Sequence, residues 1–116
     1  MSEIRLYHNP RCSKSRQALS LLEQQGHTPT VILYLETPPD AATLKAIIRS
    51  LGLASALQLV RHKEPEYQMA GLTPHSTDAE VIAAMVRFPK LIERPIAVLG
   101  KRAVIGRPPE NVLELL

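Results

Sequence analysis

One cysteine, Cys12, occurs in 116 residues, and tryptophan is absent. A single thiol excludes an internal disulfide. It also excludes dithiol chemistry in which a Cys-x-x-Cys pair closes on itself. The four histidines are scattered, so no ligand spacing for a metal arises with Cys12. With only three tyrosines and one phenylalanine, the core must come from Leu, Ile, Val and Ala. Long apolar runs are missing too. Runs such as Val31-Ile32-Leu33-Tyr34-Leu35 and Val81-Ile82-Ala83-Ala84-Met85-Val86 are far short of the ~20 residues of a membrane-spanning helix. No signal-peptide pattern opens the chain. The expectation is a protein of a reducing, cytoplasmic compartment, with no membrane role and no bound cofactor.

A concentrated basic segment is also lacking. The formal net charge is +3, but Lys and Arg are spread along the chain with few aromatics for base stacking. Nucleic acid is therefore not the expected partner. A small anion suits local arginines equally well. A phosphatase-type Cys-x5-Arg loop is excluded, because the sixth residue after Cys12 is Ala18.

The length suits one domain that buries its own core. Residues 3–7 read as a strand. Residues 13–25 read as a helix with Ala18, Leu21 and Leu22 on one face, stopped by Gly26. Residues 30–34 are a continuous β-branched and apolar run, the pattern of a buried strand. A helical crossover makes the two strands parallel. Pro38-Pro39-Asp40 opens a helix carrying Leu44, Ile47, Ile48 and Leu51, ended by Gly52. Residues 53–59 read as a short helical piece, and 62–71 as a loop. Thr77-x-x-Glu80 is a capping box before a helix with Val81, Ile82, Met85 and Val86 on its face, stopped by Pro89. Residues 96–99 and 102–105 flank Gly100-Lys101 as a hairpin. A closing helix follows Pro108-Pro109 and runs through Val112, Leu113 and Leu116.

The order is β-α-β, a helical insertion at about 40–88, then β-β-α. This is an α/β, thioredoxin-like arrangement: a mixed four-stranded sheet with helices on both faces, in a single domain over 1–116. No linker separates the insertion.

Cys12 lies where the first strand passes into the first helix. A free cysteine is often a small buried hydrophobe. Here it follows Pro10-Arg11 at a junction, with polar and basic flanks. Unpaired N–H groups at a helix start favour the thiolate. An unperturbed thiol is only about 3% ionised at pH 7. Lowering its pKa by roughly two units makes the thiolate dominant. With Ser15 in the second place of Cys12-x-x-Ser15, no neighbour resolves an oxidised or derivatised Cys12. An outside thiol must do so, and glutathione is the obvious one.

Arg61, Arg94 and Arg107 are the candidates for anion binding. A guanidinium fork matches a tetrahedral oxyanion bidentately at any working pH. Each alone reads equally as a solvated surface residue. Arg94 and Arg107 stand before Pro95 and Pro108 at the ends of predicted strands, and the thioredoxin-like order carries those ends towards Cys12. In such folds a cis-proline commonly precedes the third strand, beside the active cysteine. Pro95 holds that place, so a cis bond is expected although X–Pro bonds are mostly trans. His8 could tune the thiol or be a satisfied structural residue. Asn9 and Pro10 shape the turn.

Tyr7-His8-Asn9-Pro10-x-Cys12-x-x-Ser15-Arg16 resembles the opening of the glutaredoxin-coupled, ArsC-like arsenate reductases. The likeness continues through Ile32-Leu33-Tyr34-Leu35-Glu36-x-Pro38-Pro39. It resumes at Leu59-Val60-Arg61, Glu64-Pro65, Gly71-Leu72, Pro89-x-Leu91-Ile92-x-Arg94-Pro95-Ile96 and Arg107-Pro108. Nearly the whole chain is covered, in order.

The resemblance implies that a Cys12 thiolate attacks arsenate, that Arg61, Arg94 and Arg107 bind the oxyanion, and that His8 and Ser15 tune the thiol. It implies glutathione as co-substrate and glutaredoxin as the partner that releases arsenite. Ser13-Lys14 replaces smaller or less charged residues of well-studied members. The chain also stops directly after the closing helix, where longer members carry a polar tail. Both features resemble a short, YfgD-like subgroup. Two other readings are a monothiol glutathione-dependent oxidoreductase with another substrate, and a redox-responsive regulator that binds RNA polymerase. Regulators of that fold usually carry Cys-x-x-Cys, and Ser15 argues against a dithiol switch.

Overall fold

The computed structural model describes residues 3–116. These form two compact units: one comprises the chain up to Thr37 together with Arg94–Leu116, the other Pro38–Glu93.

The first unit holds the sheet. Strands β1 (Ile4–Tyr7), β2 (Thr30–Ile32), β3 (Ile96–Leu99) and β4 (Arg102–Ile105) lie in the order β2-β1-β3-β4. β1 and β2 are parallel, joined through helix α1 (Ser13–Gln24). β3 runs antiparallel to both β1 and β4. This is the thioredoxin-like arrangement that the element order implied. Period-2 alternation sends Ile4 and Leu6 to one face of β1. There they join Ala18 and Leu22 of α1, Ala97 of β3, and Val112 and Leu115 of the closing helix in one buried cluster. Leu6 and Leu22 are fully enclosed, each worth about 1.5–3 kcal/mol of burial. The β3–β4 hairpin turns on Gly100, whose φ of 62° suits the first place of a type II′ turn.

Three expectations for this unit are corrected. β2 is not a buried strand: Thr30 and Val31 are exposed and Ile32 half-buried. It is the sheet edge, paired only with β1, and pairing ends as the chain turns at Tyr34. The closing segment Pro109–Leu115 is a 3-10 helix. Three residues per turn align Val112 with Leu115, so Leu116 is exposed instead of buried. Gln25, placed in the first helix by its sequence pattern, lies just past its end as the C-cap.

The second unit is helical. It contains α2 (Ala41–Leu51), a 3-10 turn (Ala56–Leu59), α3 (Pro65–Met69), α4 (Asp78–Arg87) and a second 3-10 turn (Pro89–Leu91). α2 begins where Asp40 accepts from the Thr43 N–H and ends at Gly52. α4 begins at the expected capping box, with Thr77 and Glu80 each bonding the other's backbone. α4 packs against α2 and both 3-10 turns. Leu44, Ile47, Leu59, Val81, Met85 and Leu91 are buried. Asp78 also accepts from the Ala56 N–H at 3.0 Å, which ties the first 3-10 turn to the start of α4.

Two expectations change here. Residues 65–69, read as loop, form α3, with Pro65 in its first turn, where a missing N–H costs nothing. On α4, Ala84 is buried and Val86 is exposed.

Candidate active site

The end of β1 positions the site. His8 donates its backbone N–H to Ile32 O at 2.9 Å, extending the β1–β2 pairing by one residue. The chain then turns sharply. Asn9 Oδ1 accepts from the Arg11 N–H at 3.0 Å, and Asn9 O accepts from the Cys12 N–H, also at 3.0 Å. An Asn side chain mimicking backbone in this way is a turn-former. Cys12 emerges as the N-cap of α1, with extended φ and ψ, and its carbonyl takes the first helical bond from Arg16. Arg16 Nη1 reaches back to Pro10 O at 2.9 Å and braces the loop.

Ser15 is the fixed point beneath this loop. It is fully buried, and its Oγ accepts from the Asn9 N–H at 3.0 Å. The same hydroxyl lies 2.6 Å from His8 Nδ1. His8 is also buried. Burial, then the nearby Arg16 charge, hold its imidazole below the ordinary value and favour the neutral ring.

The Cys12 thiol is half-buried. Burial pushes its pKa up, yet the net shift is down. The opposing causes are the Ser15 N–H, the Arg94 charge, the Lys14 N–H and hydrogen bonding from the Arg94 guanidinium. No capping hydrogen bond to the Cys12 side chain forms; both N–H groups nonetheless favour its anion. The sulfur is thus poised as a nucleophile, with a cation beside it.

Arg94 arrives from the other side of the sheet pairing. The register sets Tyr7 at the end of β1 opposite Ile96 at the start of β3, so the loops flanking those residues meet. The Arg94–Pro95 bond is cis, as expected, and Arg107–Pro108 is cis as well. Pro95 is buried against Gly106: a Cβ on that glycine would stand 2.7 Å from Pro95 Cγ and 3.1 Å from Val112 Cγ1. Gly106 also donates its N–H to Pro95 O at 2.8 Å. Arg107 Nη1 donates to Arg94 O at 3.3 Å, and Asn111 Nδ2 to Arg107 O at 3.2 Å. Within this unit, then, His8, Ser15 and Cys12 form one linked group. Arg94 touches it directly, and Arg107 bonds the backbone of Arg94.

Arg61 belongs to the helical unit. Val60 bridges Ile92, and the Arg61 N–H bonds Leu91 O at 2.8 Å. Its guanidinium pairs with Glu64 at 2.7 Å. The sequence reading missed Glu64 as that partner, although the i, i+3 spacing could have suggested it. It also missed Gly106, for which the sequence carries no signal, because the need arises from a contact across the sheet. Among the described residues, no three His, Cys, Asp or Glu side chains gather as a metal site.

A model of the family described as "ArsC family" matches residues 7–115. The protein named "Uncharacterized protein YfgD" of Escherichia coli K12 is 53% identical over 98% of this chain and 97% of its own. An arsenate reductase of Neisseria meningitidis is 47% identical over the full length of both. The solved structure of an arsenate reductase from Vibrio cholerae superposes with a TM-score of 0.95 at 48% identity, covering 99% of this chain and 98% of that one. The match runs from the last residue of β1, through the Cys12 loop and the helical unit, into the closing helix: the chain belongs to the ArsC family.

Proposed function

We propose that this protein reduces arsenate to arsenite, with Cys12 as nucleophile, Arg61, Arg94 and Arg107 as oxyanion ligands, glutathione as co-substrate and glutaredoxin as the final thiol partner. One observation carries the reading: the Cys12 thiol is held towards its anion with Arg94 against it. An anionic sulfur alone repels an anionic substrate. A guanidinium at the same point offsets that repulsion and can hold arsenate oxygen while the sulfur approaches arsenic. Full-length relatives that bear the name arsenate reductase support the same substrate.

The Cys12 sulfur bonds to arsenic and displaces one oxygen as water; arsenic stays at +5. The glutathione sulfur displaces a second oxygen as water. A glutaredoxin thiolate then attacks the glutathione sulfur. The sulfur–arsenic bond breaks with its electron pair passing to arsenic, which falls to +3, and the two thiol sulfurs leave as a mixed disulfide. Water displaces Cys12 from arsenic, giving arsenite and the free thiolate. A chain with one cysteine must take both reducing thiols from outside, in a compartment where thiols stay reduced.

His8 and Ser15 serve by fixing the Cys12 loop and the first turn of α1. The Arg61 guanidinium would exchange its Glu64 partner for substrate oxygen or share its remaining donors. The test is arsenite formation from arsenate by purified protein with glutathione and glutaredoxin. Turnover is expected from wild type and lost in Cys12→Ser. No arsenite above background from wild type would overturn the assignment.

A further inference from the structure

Arg61 and Glu64 are the two ends of one turn in the helical unit. The Arg61 N–H bonds Leu91 O and the Glu93 N–H bonds Leu59 O, both at 2.8 Å, on either side of the Val60–Ile92 bridge. That ladder holds the Arg61 backbone. The turn closes where the Glu64 N–H donates to Arg61 O at 3.2 Å. Pro65 then restricts Glu64 to extended backbone, and its φ of −75° and ψ of 140° comply. Glu64 O accepts from the Tyr67 N–H at 3.0 Å. The His62 ring packs on the Tyr67 ring, with centroids 5.1 Å apart. Both main chains are thus fixed, one to the 91–93 segment and the other to α3.

Glu64 is also the N-cap of α3, a place where a side chain ordinarily serves a backbone N–H. Its carboxylate makes no such bond. It turns back to Arg61 Nη2 at 2.7 Å, and the two side chains are only 24% and 22% exposed. An ion pair between two freely moving surface side chains counts for little. Here both partners start from fixed backbone and are largely enclosed. A guanidinium carries donors on more than one edge, so Nη2 can stay with the carboxylate while other donors take substrate oxygen. A loose arginine loses its rotamer freedom when an anion binds. One already held has lost it beforehand.

We propose that Glu64 is the positioning residue of Arg61. It keeps Nη2 through binding and turnover, so that the remaining donors hold one orientation before the oxyanion arrives. This rests on the function proposed above, in which Arg61 is an oxyanion ligand, and it selects sharing of the guanidinium over exchange.

The test measures arsenate affinity by calorimetry on Cys12→Ser protein, where no chemistry follows binding. Glu64→Ala should weaken arsenate about tenfold. Glu64→Gln, which keeps an acceptor of the same shape, should restore most of that loss. In turnover, with Cys12 present, Glu64→Ala should raise the KM for arsenate by a similar factor and leave the KM for glutathione in place. In an Arg61→Ala background, Glu64→Ala should add nothing, because no guanidinium is left to hold. Tighter arsenate binding in Glu64→Ala or Glu64→Gln would overturn the proposal and show that substrate displaces the carboxylate. An undiminished effect in the Arg61→Ala background would overturn it too, by assigning Glu64 to the fold alone. Arg61→Ala and wild-type arsenite formation are measured alongside. Weaker arsenate in Arg61→Ala with none in Glu64→Ala removes this inference and leaves Arg61 as a ligand. The expected coupling without arsenite formation keeps this inference and removes the activity.

Discussion

The Arg94 guanidinium lies against the Cys12 sulfur and lowers its pKa both by charge and by hydrogen bonding. The two residues flank the same end of the fold's central strand pairing, one after β1 and the other before β3. Arg94→Ala should therefore raise the apparent pKa of Cys12, read as the pH dependence of iodoacetamide alkylation. Arg94→Lys keeps the charge but not the fork, so its thiol should titrate between the two. Arsenate turnover should fall about 10²-fold or more in the alanine variant. An unchanged alkylation profile would show that Arg94 does not act on the thiol.

Ser15 has a different part. Its backbone N–H faces the sulfur, while its hydroxyl serves His8 and Asn9. Ser15→Ala keeps the first function and removes the second. A half-buried Asn9 donor and the buried His8 ring nitrogen lose their shared partner, at a cost of about 1–3 kcal/mol. The urea midpoint should drop with little change in slope, whereas the alkylation pKa should move less than in Arg94→Ala.

Gly106 is required for space. Its φ lies outside the left-handed region, but a methyl group there would press on the Pro95 ring. Gly106→Ala should cost about 1–3 kcal/mol as overpacking. It should also displace Arg94, the residue bonded to Pro95, and so slow both alkylation at neutral pH and turnover. A variant with wild-type stability and activity would show that the ring moves aside freely.

His8 gives the fold a pH dependence. Its pKa is lowered by folding, through burial first and Arg16 second. Below the unfolded value of about 6.5, the unfolded chain binds a proton that the folded chain resists. Stability from this group is thus complete above that pH, and falls as pH drops towards the lower folded pKa. His8→Asn should flatten that part of the stability–pH curve. An unaltered slope would assign the effect elsewhere.

Much of the fold could be read from local chemistry. Asp40 and Gly52 bound α2, Thr77 and Glu80 open α4, and Gly100 turns the hairpin, because each signal acts within a few residues. The errors came where distant partners decide. Val31 and Ile32 read as core, but their exposure depends on β2 being the sheet edge. Leu116 fits an α-helical period, but contact with α1 selects a three-residue repeat instead. At the site, Cys12 and Ser15 are legible as a motif. Their link to His8 needs the loop to fold back over α1, and the fit of Gly106 to Pro95 has no trace in the local sequence. Arg94 could be placed only through the strand order.

The β1–β3 pairing also sets an order in time. Translation delivers Cys12 early and Arg94 only after the whole helical unit has been made. The N–H groups of Lys14 and Ser15 are local and can act as soon as α1 forms. The guanidinium acts only when β3 has docked beside β1. A nascent chain thus carries a less activated thiol than the finished protein, and full reactivity reports that β3 is in place.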